Sequence, residues 1–113
     1  MNNHGVLDRS FLALSHPVRR AIVERLVAGP APVGEASRGL GVSKPAVTKH
    51  LKVLEGAGVV ARTVEGRTHV LRLEPHALRE VSDWLALHRS LWERKFAVVE
   101  QHLTETDERK EST

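Results

Sequence analysis

Residues 33–58 read VGEASRGLGVSKPAVTKHLKVLEGAG, and the fold turns on them. Val33, Ala36 and Leu40 line one face of a short helix of about two turns. Gly41-Val42-Ser43 then makes a tight turn, because glycine reaches left-handed backbone at little steric cost. Ser43 is a good N-cap, and Pro45 lies in the first turn of the next helix, where its missing N–H is not needed. That helix buries Val47, Leu51 and Leu54, at spacings of four and three, and ends at Gly56-Ala57-Gly58. Ser43, Lys44, Thr48 and Lys49 face away from the apolar stripe, with Lys52 one turn further on. Two helices joined by a three-residue turn containing glycine have the geometry of a DNA-reading helix-turn-helix, whose second helix enters the major groove by its polar N-terminal half. Hydroxyls and backbone N–H groups at that end suit phosphate oxygens. Lysines at 44 and 49 reach phosphates or guanine O6 and N7. Ser43, Lys44, Pro45, Thr48, Lys49 and Lys52 are therefore the candidate reading residues.

Downstream of Gly58 the period shortens from helical to alternating. Val59–Val64 and Arg67–Leu73 are rich in β-branched residues, and Glu65-Gly66 between them reads as the two-residue turn of a hairpin. Its tip carries Arg62, Arg67, Thr68 and His69, as expected of a wing that touches DNA backbone and minor groove. Upstream, residues 6–15 form one helical segment, and Pro17 starts a second that carries Ala21, Ile22, Leu26 and Val27 to a stop at Gly29-Pro30. Pro75 opens a last helix reaching about Leu103. It carries two apolar stripes, one of Leu78, Val81, Leu85, His88, Trp92, Phe96, Val99 and Leu103, the other of Trp84, Leu87, Leu91 and Val98. A surface helix needs one such stripe, so two imply two partners, one of them a second copy of the chain. The expected order is α-α-α-α-β-β-α, a mostly α fold with a β-hairpin wing (α+β), in one domain over residues 1–103. A polar tail, expected to be disordered, occupies 104–113.

The 113 residues hold 17 basic and 14 acidic side chains, a net charge of +3 that is unevenly spread. Residues 1–74 carry 11 basic and 6 acidic groups, while residues 75–113 carry 6 and 8. The segment 33–72 alone holds 7 basic and 3 acidic groups, which points to an anionic partner for the body of the protein. Zero cysteines remove thiol chemistry, thiolate zinc sites and disulfides, and suit a cytoplasmic protein. No apolar run approaches the length of a membrane span, and no signal peptide opens the chain. The sequence offers no glycine-rich phosphate loop, paired carboxylates or Ser-His-Asp set, so an enzyme and a cofactor are not expected.

Residues 11–73 resemble the ArsR-type winged-helix repressors of bacteria. The resemblance is carried by residues 11–22 (FLALSHPVRRAI), 41–60 (GVSKPAVTKHLKVLEGAGVV) and 65–67 (EGR). It implies a homodimer that pairs through its first and last helices, reads an inverted-repeat operator in double-stranded DNA and represses by occupying it, with a signal that releases or tightens binding. The interface residues it marks are Phe11, Leu85, His88, Trp92, Phe96 and Val99. Founding members of that family sense metal, through paired cysteines absent here or through Asp-x-His and His-x-x-Glu on the last helix. His102 and Glu105 match the second half, but Arg89 and Leu91 stand where the first two ligands belong, so no metal site of that type is expected.

The other histidines have ordinary readings. His16, before Pro17, is a cap or packing residue; His50, on the reading helix, contacts backbone or phosphate; His88 belongs to the interface stripe. Two alternatives to the operator-binding reading are a winged-helix module that binds protein instead of DNA, and a metal-responsive repressor with a non-standard His and carboxylate site. Trp84, Leu87, Trp92 and Phe96 leave room for an apolar small-molecule effector, which the sequence does not identify.

Overall fold

A computed structural model describes residues 4–111, with side chains over 5–103. The elements in chain order are α1 (His4–Ala13), α2 (Pro17–Leu26), β1 (Ala31–Pro32), α3 (Val33–Ala36), α4 (Lys44–Gly56), β2 (Val60–Glu65), β3 (Thr68–Leu73) and α5 (Pro75–Glu111). The chain forms two compact units that divide between Val81 and Ser82. A sequence read as one domain to residue 103 does not announce this division, because α5 crosses it without a break in its helical pattern.

The first unit is built on α4. Ser43 sits in extended backbone and its Oγ accepts from the Ala46 N–H at 3.3 Å, which starts the helix as the sequence predicts. At the other end Gly58 takes φ +72°, Gly58 N–H donates to the Glu55 carbonyl and Val59 N–H to the Leu54 carbonyl, both at 3.0 Å. This double closure is a Schellman motif, completed by an apolar pair, Leu54 and Val59, both fully buried. Between these ends Val47, Leu51 and Leu54 face a core that includes Ala13, Ile22, Leu26, Ala36, Val60, Leu71 and Ala77.

Helix α2 begins at Pro17, with His16 in the extended backbone that a residue before proline prefers. The His16 Nδ1 accepts from the Val18 N–H at 3.1 Å, the capping role expected of it. The arginines of α2 then close its neighbours. Arg19 donates from Nε to the Ala13 carbonyl (2.7 Å) and from Nη2 to that of Leu12 (3.0 Å), and Arg20 reaches the Leu14 carbonyl at 2.8 Å. Arg25 donates to the carbonyls of Glu35 and Ala36 at the end of α3. Carbonyls at a helix C-terminus have no partner within the helix, and cationic donors satisfy both their lone pairs and the local negative dipole.

Several boundaries differ from those read in the sequence. Helix α3 is one turn, not two: the Ser37 Oγ donates back to the Val33 carbonyl at 2.8 Å, and Gly39 at φ +72° ends the helical path, so Leu40 meets the core from a turn. Strand β1 was not anticipated. Its two residues pair antiparallel with β3, Ala31 opposite Leu71 and Pro32 opposite Val70, giving the sheet order β1-β3-β2. An edge position tolerates a proline, and nothing but the partner strand makes so short a segment extended. The hairpin turn is Gly66-Arg67, one residue later than Glu65-Gly66, because Glu65 pairs with Thr68. Gly66 has φ +64° and Arg67 does not have positive φ, the sign pattern of a type II′ turn with glycine first.

Helix α5 continues to Glu111 past the expected end near Leu103, since TETDERKE over 104–111 contains no glycine or proline to stop it. The expected polar tail over 104–113 has its side chains, and residues 112–113 altogether, outside the described residues. Among the described residues no helix is long and apolar enough to cross a membrane.

The fold generates two predictions. No atom lies within 4 Å of a Cβ built on Gly58, so Gly58→Ala pays only for left-handed backbone, about 1–2 kcal/mol in urea unfolding; an unchanged midpoint would contradict the closure of α4 described above. The second concerns His50, whose Nδ1 accepts from Arg19 Nη1 at 3.1 Å and whose ring lies 4.4 Å from that of His16. Partial burial first, then the nearby His16 and Arg19, lower its pKa below the ordinary 6.5. Because the folded state binds this proton less readily than the unfolded one, the contribution of His50 to stability is complete above pH 6.5 and is lost as the pH falls below that value toward the depressed one. Urea midpoints measured from pH 7.5 to 5 should drop more steeply in the wild type than in His50→Gln; equal slopes would rule the coupling out.

Candidate nucleic-acid interface

With Val47, Leu51 and Leu54 turned to the core, helical geometry leaves the opposite side of α4 in water. Ser43, Lys44, Pro45, Thr48, Lys49 and Lys52 are all exposed and lie on or beside its first two and a half turns. Ion pairs join Arg62 to Glu55, Arg72 to Glu74 and Arg89 to Glu93, and among the described residues Lys44, Lys49 and Lys52 have no carboxylate partner. Two hydroxyls at this surface have internal duties. The Ser43 Oγ accepts the Ala46 N–H and retains its own proton to donate outward. The Thr48 Oγ1 donates its proton to the Lys44 carbonyl at 3.1 Å, which leaves the oxygen able to accept.

The hairpin carries the second group of residues, of which Arg62 reaches the end of α4. Arg67, Thr68 and His69 are exposed at the turn. Arg62 is set apart from them. The register pairs Val60 with Leu73, Arg62 with Leu71 and Val64 with His69, so these six share one face of the hairpin. That face begins in the core at Val60 and Leu71 and leaves it at Arg62. There the guanidinium donates to Glu55 Oε1 from Nη2 at 2.6 Å and to His69 Nδ1 from Nη1 at 3.3 Å. Its side chain is 28% exposed. Glu55 was not singled out in the sequence; it sits on the last turn of α4, and no periodic pattern links a helix residue to a strand residue across a turn.

His50 lies on the flank of α4 between its two sides. Its partners are Arg19 and His16, where the sequence suggested backbone or phosphate. The cause is again tertiary: the N-terminus of α2 packs beside α4 and brings both groups to it.

The residues marked for association divide between α1 and α5. Phe11 is 40% exposed on α1. On α5, Leu85, Trp92, Phe96 and Val99 are 41%, 40%, 63% and 53% exposed, a large apolar area for water to cover. The rings of Trp84, His88 and Trp92 stand along one side of α5, with centroids 4.6 Å apart for the first pair and 6.1 Å for the second. Among the described residues no group of three or more His, Cys, Asp or Glu gathers as a metal site would require.

A family described as "Helix-turn-helix domain" matches residues 14–63, from the end of α1 into β2. Among curated proteins the chain is 47% identical over 78 residues to the HTH-type transcriptional regulator Rv2034 of Mycobacterium tuberculosis, covering 69% of this chain and 73% of that one. It is 28% identical over 79 residues to the transcriptional repressor SdpR of Bacillus subtilis, covering 70% and 88%. Among solved structures it resembles an ArsR family transcriptional regulator with a TM-score of 0.71 at 35% identity, covering 78% of this chain and 97% of that one. An ArsR-like transcriptional regulator from Rhodococcus sp. RHA1 gives a TM-score of 0.69 at 27% identity, covering 89% and 95%. These relatives are named as regulators of transcription. The chain belongs to the ArsR family of winged helix-turn-helix transcriptional regulators.

Proposed function

We propose that this protein is a cytoplasmic transcriptional repressor that binds an inverted-repeat operator as a homodimer, each subunit laying α4 in a major groove. The observation that carries this reading is the make-up of α4: a packed apolar face, the unpaired Lys49 and Lys52 on its far side, and Ser43, Lys44 and Thr48 exposed at its N-terminal end. Lys44 and Lys49 are placed to meet phosphates or guanine edges, and Thr48 offers a methyl to thymine or lone pairs to an amino group. Arg67 and Thr68 at the tip of the hairpin extend the contact to the flanking backbone. A second copy covers the exposed apolar residues of α5, Leu85, Trp92, Phe96 and Val99 with His88 among them, and Phe11 of α1. Dimerisation spaces the half-sites about 10–10.5 base pairs apart or a multiple of it.

Operator duplexes selected from random DNA by the purified protein test this directly. Lys44→Ala combined with Lys49→Ala should abolish most of the binding while sedimentation still gives a dimer; a double variant that binds normally would contradict the assignment. With 6–10 phosphates neutralised, wild-type affinity should fall about 10³–10⁵-fold between 50 and 200 mM salt. Phe96→Glu places a charge in the apolar stripe of α5 and should shift the protein to monomer and weaken operator binding together. A dimer that survives this substitution would move the interface elsewhere.

A further inference from the structure

Taken as charges, the basic groups of the hairpin look alike; taken with their partners, Arg62 differs from Arg67. Arg67 is exposed at the turn and makes no hydrogen bond or ion pair among the described residues. Arg62 has both ends of its guanidinium engaged by the protein's own side chains, Nη2 on Glu55 at 2.6 Å and Nη1 on His69 at 3.3 Å. Its Nε is buried without a partner. Two of its five donors are thus taken and a third, Nε, is buried, so Arg62 has fewer donors than Arg67 to turn to a phosphate. These residues are also the points a brace would join: Glu55 belongs to α4, Arg62 to β2 and His69 to β3.

Resting on the DNA-binding reading above, we propose that Arg62 is a positioning residue. It ties the distal half of the hairpin to the end of α4, so that Arg67 and Thr68 meet the backbone in register with the reading helix, and it does not itself neutralise a phosphate. A planar, five-donor guanidinium can hold a carboxylate and an imidazole nitrogen at once, whereas an ammonium is a point charge without that fork. Neither Glu55 nor Arg62 is deeply buried, with side chains 32% and 28% exposed, so variants at either position should fold.

The test measures affinity against salt for the full chain on a duplex selected from random DNA by the wild-type protein. Arg67→Gln should flatten the dependence of log affinity on log salt by about one phosphate contact per subunit. Arg62→Gln should weaken binding about tenfold and leave that slope at the wild-type value. Arg62→Lys should fail to restore affinity, and Glu55→Gln should weaken binding to a similar degree. The double variant Glu55→Gln with Arg62→Gln should be no worse than either single one. Three results would overturn the assignment: a flattened slope in Arg62→Gln, rescue by Arg62→Lys, or tighter binding in Glu55→Gln, as expected if the carboxylate were merely competing with DNA for Arg62. Hydrogen exchange of the β2 and β3 amides in the free protein gives a second readout. Protection beyond Arg62 should fall in both Arg62→Gln and Glu55→Gln, and unchanged protection in both would also overturn the brace. If the wild-type protein selects no DNA, the DNA reading fails, while the exchange measurement still decides whether Arg62 holds the hairpin.

Discussion

The fold is organised by a demand placed on one helix: α4 must be apolar enough on one side to anchor a core and polar enough on the other to remain in water. Val47, Leu51 and Leu54 meet the first condition, each buried side chain of this size contributing about 1.5–3 kcal/mol. Lys49 and Lys52 meet the second, and Lys44 and Thr48 stay in water at the helix start. Rotating the helix by a third of a turn would bury lysines and expose leucines, so the core fixes which side chains are presented. The ends are held as firmly as the middle, by the Ser43 cap and by the Gly58 closure that sends the chain directly into β2. A helix so pinned can serve as a rigid reading element.

The cations of the first unit fall into two kinds by partner. Arg19, Arg20 and Arg25 are consumed on the carbonyls that end α1 and α3, and Arg62 on Glu55 and His69. Lys44, Lys49 and Lys52 are left to solvent. Side-chain chemistry permits this division without enforcing it, since the guanidinium of Arg67 also stays in water. A guanidinium is weakly hydrated and carries several donors in one plane, so it can leave water to close a helix end. An ammonium is strongly hydrated and gives up less when it stays outside. Net charge therefore overstates what is available to an anionic partner, and the groups that remain available are concentrated on α4 and at the tip of the hairpin.

Apolar area on α5 is distributed differently. Over the stretch from Leu85 to Leu103 the chain spends leucine, tryptophan, phenylalanine and valine on positions that one copy leaves in water. Exposed apolar patches of this extent are unusual in a monomer. The rings of Trp84, His88 and Trp92, tilted in the first pair and stacked in the second, add an aromatic ridge to the same helix.

Much of this was legible in the amino-acid order. Local rules were enough to place α4, its Ser43 cap, the start of α2 at Pro17, the hairpin and the long last helix, because periodicity, capping and proline geometry act over a few residues. The same rules put the exposed side of α4 where the structure has it, since a 3.6-residue period assigns the opposite face once Val47, Leu51 and Leu54 are inward. What they did not reach depended on residues distant in sequence. Strand β1 exists because β3 lies beside it, and α3 is shorter than its apolar spacing suggested because Ser37 and Gly39 end it. His50 meets Arg19 and His16 through the packing of α2 on α4. Arg62 read as one more basic residue of a hairpin until the register turned it toward Glu55. Local order determined which elements form and which side of the reading helix stays in water; only the tertiary structure decided which cations remain unpaired, because a charge's partner is set by what packs against it.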